Sequence, residues 1–253
     1  MEKLWKKGIV TVAHALAVPD FVRRYRIDVV ILYNIPQYII RLNACCLTVF
    51  DMVDDLPAML GNEVPWILRS PVEMLGKLFH RRLIKSCDVV TATTPDLGRQ
   101  CGDKQAVVVP NAVNMRDLEA ACGDEFRARY KTPVIGFFGA FEYFMDFDLV
   151  LDAAQRLSEA TFLLVGGGRR LVRVRAKAAE MGLRNVVFTG PVSYWEGLDY
   201  AAAMDVCLIP FRKCRVADAA LPLKLFQYAG LKKPIVSTPV REIRRVAESF
   251  VTF

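Results

Sequence analysis

DVCLIPFRKCRVADAALPLKLFQYAGLKKPIVSTPV, residues 205–240, sets the fold class. Asp205–Pro210 is a short apolar run closed by proline, the pattern of a buried strand. A polar, basic loop follows. Pro222 then opens a helical pattern in which Leu221, Leu225, Tyr228 and Leu231 recur at three- and four-residue spacing. Pro234 stops that helix, and Ile235–Ser237 reads as a second buried strand. Strand, loop, helix and strand in this order predict a parallel sheet, and ligands bind outside the carboxyl ends of such strands. The first turn after Pro222 therefore faces a ligand. Its free N–H groups and dipole favour an anion, and Lys224 adds a point charge suited to phosphate.

The same alternation extends outward. Upstream lie a strand over Pro133–Phe138, a turn at Gly139-Ala140-Phe141 and a helix over 146–157. Thr161–Val165 is the next strand, capped by Gly166-Gly167-Gly168, followed by helix 170–181, strand 185–188 and helix 195–203. The glycine triplet fails the G-x-G-x-x-G spacing, which argues against a nicotinamide-dependent dehydrogenase. The first half reads as a helix over 3–25, a strand over Asp28–Tyr33, a turn at Asn34-Ile35-Pro36 and a short helix over 37–43. Leu47–Phe50 is a strand that delivers Asp51, Asp54 and Asp55 at its carboxyl end. Those three carboxylates suit a metal or a hydroxyl nucleophile, or else a helix cap with solvated charges. A helix over 69–86 has Ser70 at its N-cap position and Pro71 at its first helical position. His80 on it is read as surface or interface. Strand Cys87–Ala92, a helix from about Asp96 and strand Ala106–Val109 complete this half. Two rounds of alternation predict an α/β fold of two Rossmann-like parallel-sheet domains. The charged stretch Cys122–Thr132 is the expected boundary, giving domains 1–125 and 126–253.

The bulk composition fits this. A chain of 253 residues, 53% apolar and 24% charged, has enough material for two small cores. Its net charge of +7 suits nucleotide diphosphates, an anionic membrane surface or nucleic acid, or is simply a solvated basic face. No nucleic-acid module is recognisable. The seven cysteines form no C-x-x-C pair, and most sit in apolar runs. That pattern argues for a reducing cytoplasm and against zinc or a disulfide framework. MEKLWKKGIVTVAHALAV has the outline of a signal peptide. The charged residues Asp20 to Asp28, running into the apolar DVVILY, favour helix then strand inside a domain. The Lys and Arg of that first helix suit a membrane surface, although a packed amphipathic helix explains them as well. His14 within it is read as an ordinary helix residue.

Residues 205–239 resemble the donor-binding core of GT-B glycosyltransferases of the retaining family 4 group. The pattern D-V-x-L-x-P-F…P-L-K-L-x-E-Y…K-P-V-V-S-T-P is matched from Asp205 through Phe211, Pro222–Leu225, Tyr228, Lys233 and Pro239. The Y-N-x-P turn at Tyr33, the D-x-x-D-D segment from Asp51, Pro110-Asn111-Ala112-Val113 and D-F-D-L at 146–149 occur in the family's order. Gln227 stands where the family has a glutamate for the donor ribose, and Ala219 replaces a further acidic residue. The resemblance implies a nucleotide-sugar donor at Gly139, Pro210, Phe211, Arg212, Leu223, Lys224 and Gln227. It places Asp51, Asp54 and Asp55 on the acceptor side, with retention of configuration, no metal and no cofactor. No catalytic base is assigned, because the leaving phosphate assists deprotonation. The implied acceptor is a cell-surface glycan or lipid-linked sugar, used by a cytoplasmic protein that contacts the inner membrane face. The alternative is an impaired remnant binding a nucleotide or partner. Against the family's pattern, parts of both termini are expected to be lacking, and the apolar surface this leaves favours self-association.

Overall fold

The computed structural model describes residues 17–35, 37, 46–62 and 64–253. The chain divides after Pro110 into two compact units.

In the first unit, helix α1 (17–25) precedes strand β1 (Val29–Leu32), and β2 (Leu47–Met52) pairs with it in parallel. Two helices follow, α2 (Leu56–Asn62) and α3 (Trp66–Ser86), then β3 (Val89–Ala92), α4 (Pro95–Gly98) and β4 (Val107–Val108). Among the described residues the sheet order is β1-β2-β3-β4, all parallel. Alternation along β2 turns Thr48, Phe50 and Met52 inward. α3 buries Gly76, His80, Leu83 and Ile84, and at Gly76 the backbone of Pro57 comes close enough that a Cβ would sit 3.5 Å from its Cα. Pro95 opens α4 behind Thr94, whose hydroxyl accepts from the Leu97 amide at 3.2 Å.

Two expectations for this unit need correction. α3 begins at Trp66 behind Pro65, so Ser70 is not its cap and Pro71 lies inside the helix. Pro71 faces solvent, where its missing N–H and ring are accommodated. His80 is not at the surface: it is 3% exposed and meets the Phe50 ring edge-on at 5.4 Å. The charged neighbours in sequence misled there, because they lie on other sides of the helix. Most of the helix expected over 3–25, including His14, and that over 37–43 fall outside the described residues, although 17–25 is helical.

The second unit opens with two short helices, α5 (Met115–Glu119) and α6 (Asp124–Arg127). Strand β5 (Val134–Phe138), α7 (Phe147–Arg156), β6 (Thr161–Val165), α8 (Leu171–Glu180), β7 (Val186–Gly190) and α9 (Tyr194–Ala203) follow. Next come β8 (Val206–Ile209), α10 (Arg215–Ala219), α11 (Leu223–Gly230), β9 (Ile235–Ser237), α12 (Arg241–Ala247) and β10 (Val251–Thr252). All strands are parallel in the order β10-β9-β8-β5-β6-β7. Asp146 caps α7 and Ser193 caps α9, where Glu196 completes the sequence of a capping box. β6 is buried throughout, as an unbroken apolar run in a covered parallel sheet should be. Phe141 stacks on Phe147 at 4.3 Å, and Phe137 meets both edge-on.

The fold class is therefore the one read from the sequence: two parallel-sheet α/β domains. Residues 111–125, expected with the first domain, pack with the second. The Cys122 amide donates to Asp199, and a Cβ at Gly123 would meet the Ala202 backbone at 2.5 Å. The charge of Cys122–Thr132 reads as a boundary, but the Cys122 amide and Gly123 are fitted against α9.

Candidate functional site

At the carboxyl ends of β5 and β6 two glycine loops interlock. Gly139 leaves β5 with φ +149° and donates its amide to the Val165 carbonyl at 3.0 Å. A Cβ on Gly166 would lie 2.1 Å from the Gly139 carbonyl oxygen, so only glycine fits there. Phe141 then donates to Gly167 at 2.8 Å. The triplet read as weak evidence from sequence is thus a structural lock on the turn after β5.

The loop after β8 closes over the same region. The Asp146 amide donates to the Pro210 carbonyl at 2.6 Å and the Arg212 amide to Phe144 at 2.8 Å. Phe211 is 2% exposed, so its ring is core. Pro210 is buried as well and offers its carbonyl to the fold. Arg212 places its guanidinium 2.6 Å from Asp148 and 3.4 Å from Asp146, and donates Nε to the Met145 carbonyl at 3.1 Å. Its charge is matched by two carboxylates inside the unit. Asp148 is held below the usual carboxylate range by its hydrogen bonds to Lys177 and Arg212.

α11 brings the remaining candidates to this loop edge. Tyr228, fully buried, fixes the helix: the Phe138 amide donates to its hydroxyl at 2.8 Å, one residue before Gly139. Asn111 steadies the approach, donating its amide to the Leu221 carbonyl at 2.6 Å. Four residues before Tyr228, Lys224 therefore lies over the turn, and a Cβ on Gly139 would be 3.0 Å from its Nζ. The ammonium sits 4.4 Å from the Phe137 ring centroid and 5.7 Å from that of Phe211. Among the described residues it makes no hydrogen bond or ion pair. Burial pulls its pKa down from the usual lysine range to about 7, although the residue as a whole keeps some exposed surface. Leu223 is exposed at the start of the helix, where no side chain caps the first turn. Gln227, one turn further along, is buried. The arrangement offers an anion a helix start, one cation without a counter-charge and a glycine turn.

Phe137, Tyr228 and Asn111 were not among the sequence candidates. A tyrosine on the apolar side of a helix signals a buried hydroxyl that needs a partner. Nothing local signals the other two.

The carboxylates lie in the first unit, at the carboxyl end of β2. Asp51 accepts from the Thr91 hydroxyl at 2.7 Å. Asp55 is 1% exposed, accepting from the Ala58 amide and from the Gln100 side chain at 3.2 Å each. It caps α2. Asp54 makes no side-chain hydrogen bond among the described residues. Burial first, and the Asp55 charge second, raise its carboxyl to about 6. Burial lowers the His80 imidazole to about 4, against the attraction of Asp55, and its Nε2 has no hydrogen-bond partner among the described residues.

A cavity of about 590 Å³ in the second unit, lined by Tyr130, Thr161, Arg184 and Asn185, opens at the amino-terminal edge of the sheet. It is at the opposite end of the strands from Lys224.

Residues 132–252 match the family model of group 1 glycosyl transferases. O-antigen chain mannosyltransferase C of Escherichia coli is 28% identical over 170 residues, 63% of this chain and 44% of that protein. Sucrose-phosphate synthase from Thermosynechococcus elongatus has a TM-score of 0.76 at 14% identity, covering 94% of this chain and 62% of that one. Anabaena HepE, solved in complex with UDP-glucose, has a TM-score of 0.64 at 14% identity, covering 85% and 62%. The two solved structures share the two-domain parallel-sheet fold. The chain spans 30% to 44% of the length of the curated relatives it matches. No described helix is long and apolar enough to cross a membrane.

Proposed function

We propose that this chain, whose residues 132–252 match the family model of group 1 glycosyl transferases, moves a sugar from a nucleotide-sugar donor to a glycan or lipid-linked acceptor. The observation that carries this is Lys224: a cation without counter-charge, at an uncapped helix start, beside a turn that admits only close backbone approach. The donor diphosphate supplies the missing anion. Lys224 and the first amides of α11 then stabilise the charge that grows as the nucleoside diphosphate leaves, help of the kind that dominates such transfers. Gln227, on the same helix, meets the ribose as a neutral hydrogen-bonding group. Arg212 holds the loop after β8 through Asp146 and Asp148 rather than touching phosphate. The departing phosphate assists deprotonation of the acceptor, with retention of configuration. Asp54, whose carboxylate has no hydrogen-bond partner among the described residues, is the acceptor-side candidate in the first unit. No metal or cofactor enters this scheme, and the protein works in the cytoplasm.

HepE in complex with UDP-glucose and the mannosyltransferase name of the E. coli relative support a nucleotide-sugar donor and favour transfer over a remnant that only binds. Isothermal titration with UDP-, GDP- and ADP-sugars tests it, with Lys224→Ala as control. Binding that the variant loses identifies donor and site. Folded protein that binds none of these donors sinks the reading.

A further inference from the structure

α3 is apolar on two opposite sides. Its inward side carries Gly76, His80, Leu83 and Ile84. At 100° per residue, Ile67, Pro71, Met74, Leu75 and Leu78 fall on the opposite side, and all five are exposed. Ile67 is 68% exposed, Met74 70%, and Trp66 beside them 83%. A solvent-facing stripe on a helix of this length is normally polar. Past Leu78 the same stripe continues as Arg82 and Lys85, flanked by Arg81. None of these three cations makes an ion pair among the described residues. The single acid of α3, Glu73, lies off the stripe and pairs with Lys77 at 3.0 Å.

We propose that this face of α3 docks on an anionic lipid bilayer, the helix lying in the plane of the headgroups. From Ile67 to Lys85 the stripe is about 27 Å long. Its first three turns enter the acyl boundary, with Trp66 at headgroup level, and the cationic end meets lipid phosphates. Charge selects this occupant. The cations continue the apolar stripe with no acid among them, the complement of an anionic headgroup layer bordering acyl chains. The inference stands apart from the transferase reading, since it uses no donor-site residue.

The test is flotation of the full chain with phosphatidylcholine vesicles, with and without phosphatidylglycerol, alongside quenching of tryptophan fluorescence by brominated lipid. Binding should require the anionic lipid and weaken with salt. R81Q/R82Q/K85Q should lower affinity roughly a hundredfold, at about fivefold per cation. M74E/L78E should abolish binding. Quenching should fall in Trp66→Phe, a variant that keeps the other two tryptophans and leaves the fold intact. Equal binding to both vesicles, no binding to either, or unchanged affinity in both multiple variants overturns the proposal. So does a wild-type dimer that M74E/L78E converts to monomer without any vesicle binding.

Discussion

The two sheets start from similar sequence and end in different surroundings. β1 is VVIL and β6 is TFLLV, both unbroken apolar runs. All of β6 is buried, whereas Val29 and Ile31 of β1 are exposed. An apolar run states that a strand wants covering, and neighbouring elements decide whether it is covered. The ionisable groups divide in the same way. The second unit sets Lys224 against the rings of Phe137 and Phe211 and the turn at Gly139. The first gathers Asp51, Asp54, Asp55 and His80 at the end of β2 and on α3. In each unit burial moves the key pKa toward the neutral form, but the outcome at pH 7 differs. Lys224 is poised between states, Asp54 is mostly ionised and His80 is neutral.

The largest expected break in this contrast is at the glycine lock. Gly166→Ala puts a Cβ 2.1 Å from the Gly139 carbonyl, and should cost about 3 kcal/mol or more, read as a fall in Tm. A variant as stable as the parent would mean that the loops are free to part.

Lys224→Ala should weaken donor binding by about a hundredfold, the worth of a charged hydrogen-bonded contact. The pH dependence sharpens the point. The free amine is half protonated near pH 7, and a bound diphosphate favours the charged form. Donor affinity should therefore fall as pH rises above 7, by at most about tenfold per unit, with proton uptake on binding. Titrations in buffers of different ionisation enthalpy would show that uptake.

Tyr228→Phe takes the hydroxyl acceptor from the part-buried Phe138 amide and should lower stability by about 1–2 kcal/mol. Donor affinity should fall with it, because the same bond sets where Lys224 stands.

The first unit offers a test of opposite sign. His80 has a folded pKa near 4, below its ordinary 6.5, so its stabilising contribution is present above 6.5 and lost as pH falls toward 4. Asp54 has a folded pKa near 6, above its ordinary 3.8, so its contribution is present below 3.8 and lost as pH rises through 6. Between pH 4 and 6 the two effects oppose each other. Asp54→Asn should remove the compensation, making stability fall with acidification across that window by up to about 1.4 kcal/mol per pH unit. A denaturation midpoint with the same pH profile as the parent would refute it.

Smallest is Arg212→Ala. Its pairs with Asp146 and Asp148 are partly exposed, so the loss should stay at or below about 1 kcal/mol, with donor affinity changed only modestly. A hundredfold loss of donor affinity would return Arg212 to the diphosphate.

How much of this the sequence held depends on the range over which each feature is decided. Local pattern gave the elements: Thr161–Val165 and Ile235–Ser237 have the bounds read from apolar runs and proline stops. It also put Lys224 at a helix start and showed that Gly166–Gly168 is no dinucleotide fingerprint, since spacing along the chain suffices for both. The short helices α2, α5, α6, α10 and α12 and the strand β10 were missed, because two to seven residues carry no measurable period. Partners far apart in sequence were beyond local reading. Arg212 finds Asp148 64 residues away, and the Tyr228 hydroxyl finds the Phe138 amide 90 residues away. The same limit applies to the burial of His80 and to residues 111–125, which turn to the second unit. Periodicity fixes which face of an element is apolar; what meets that face, and which charges are matched there, is settled only when the chain closes on itself.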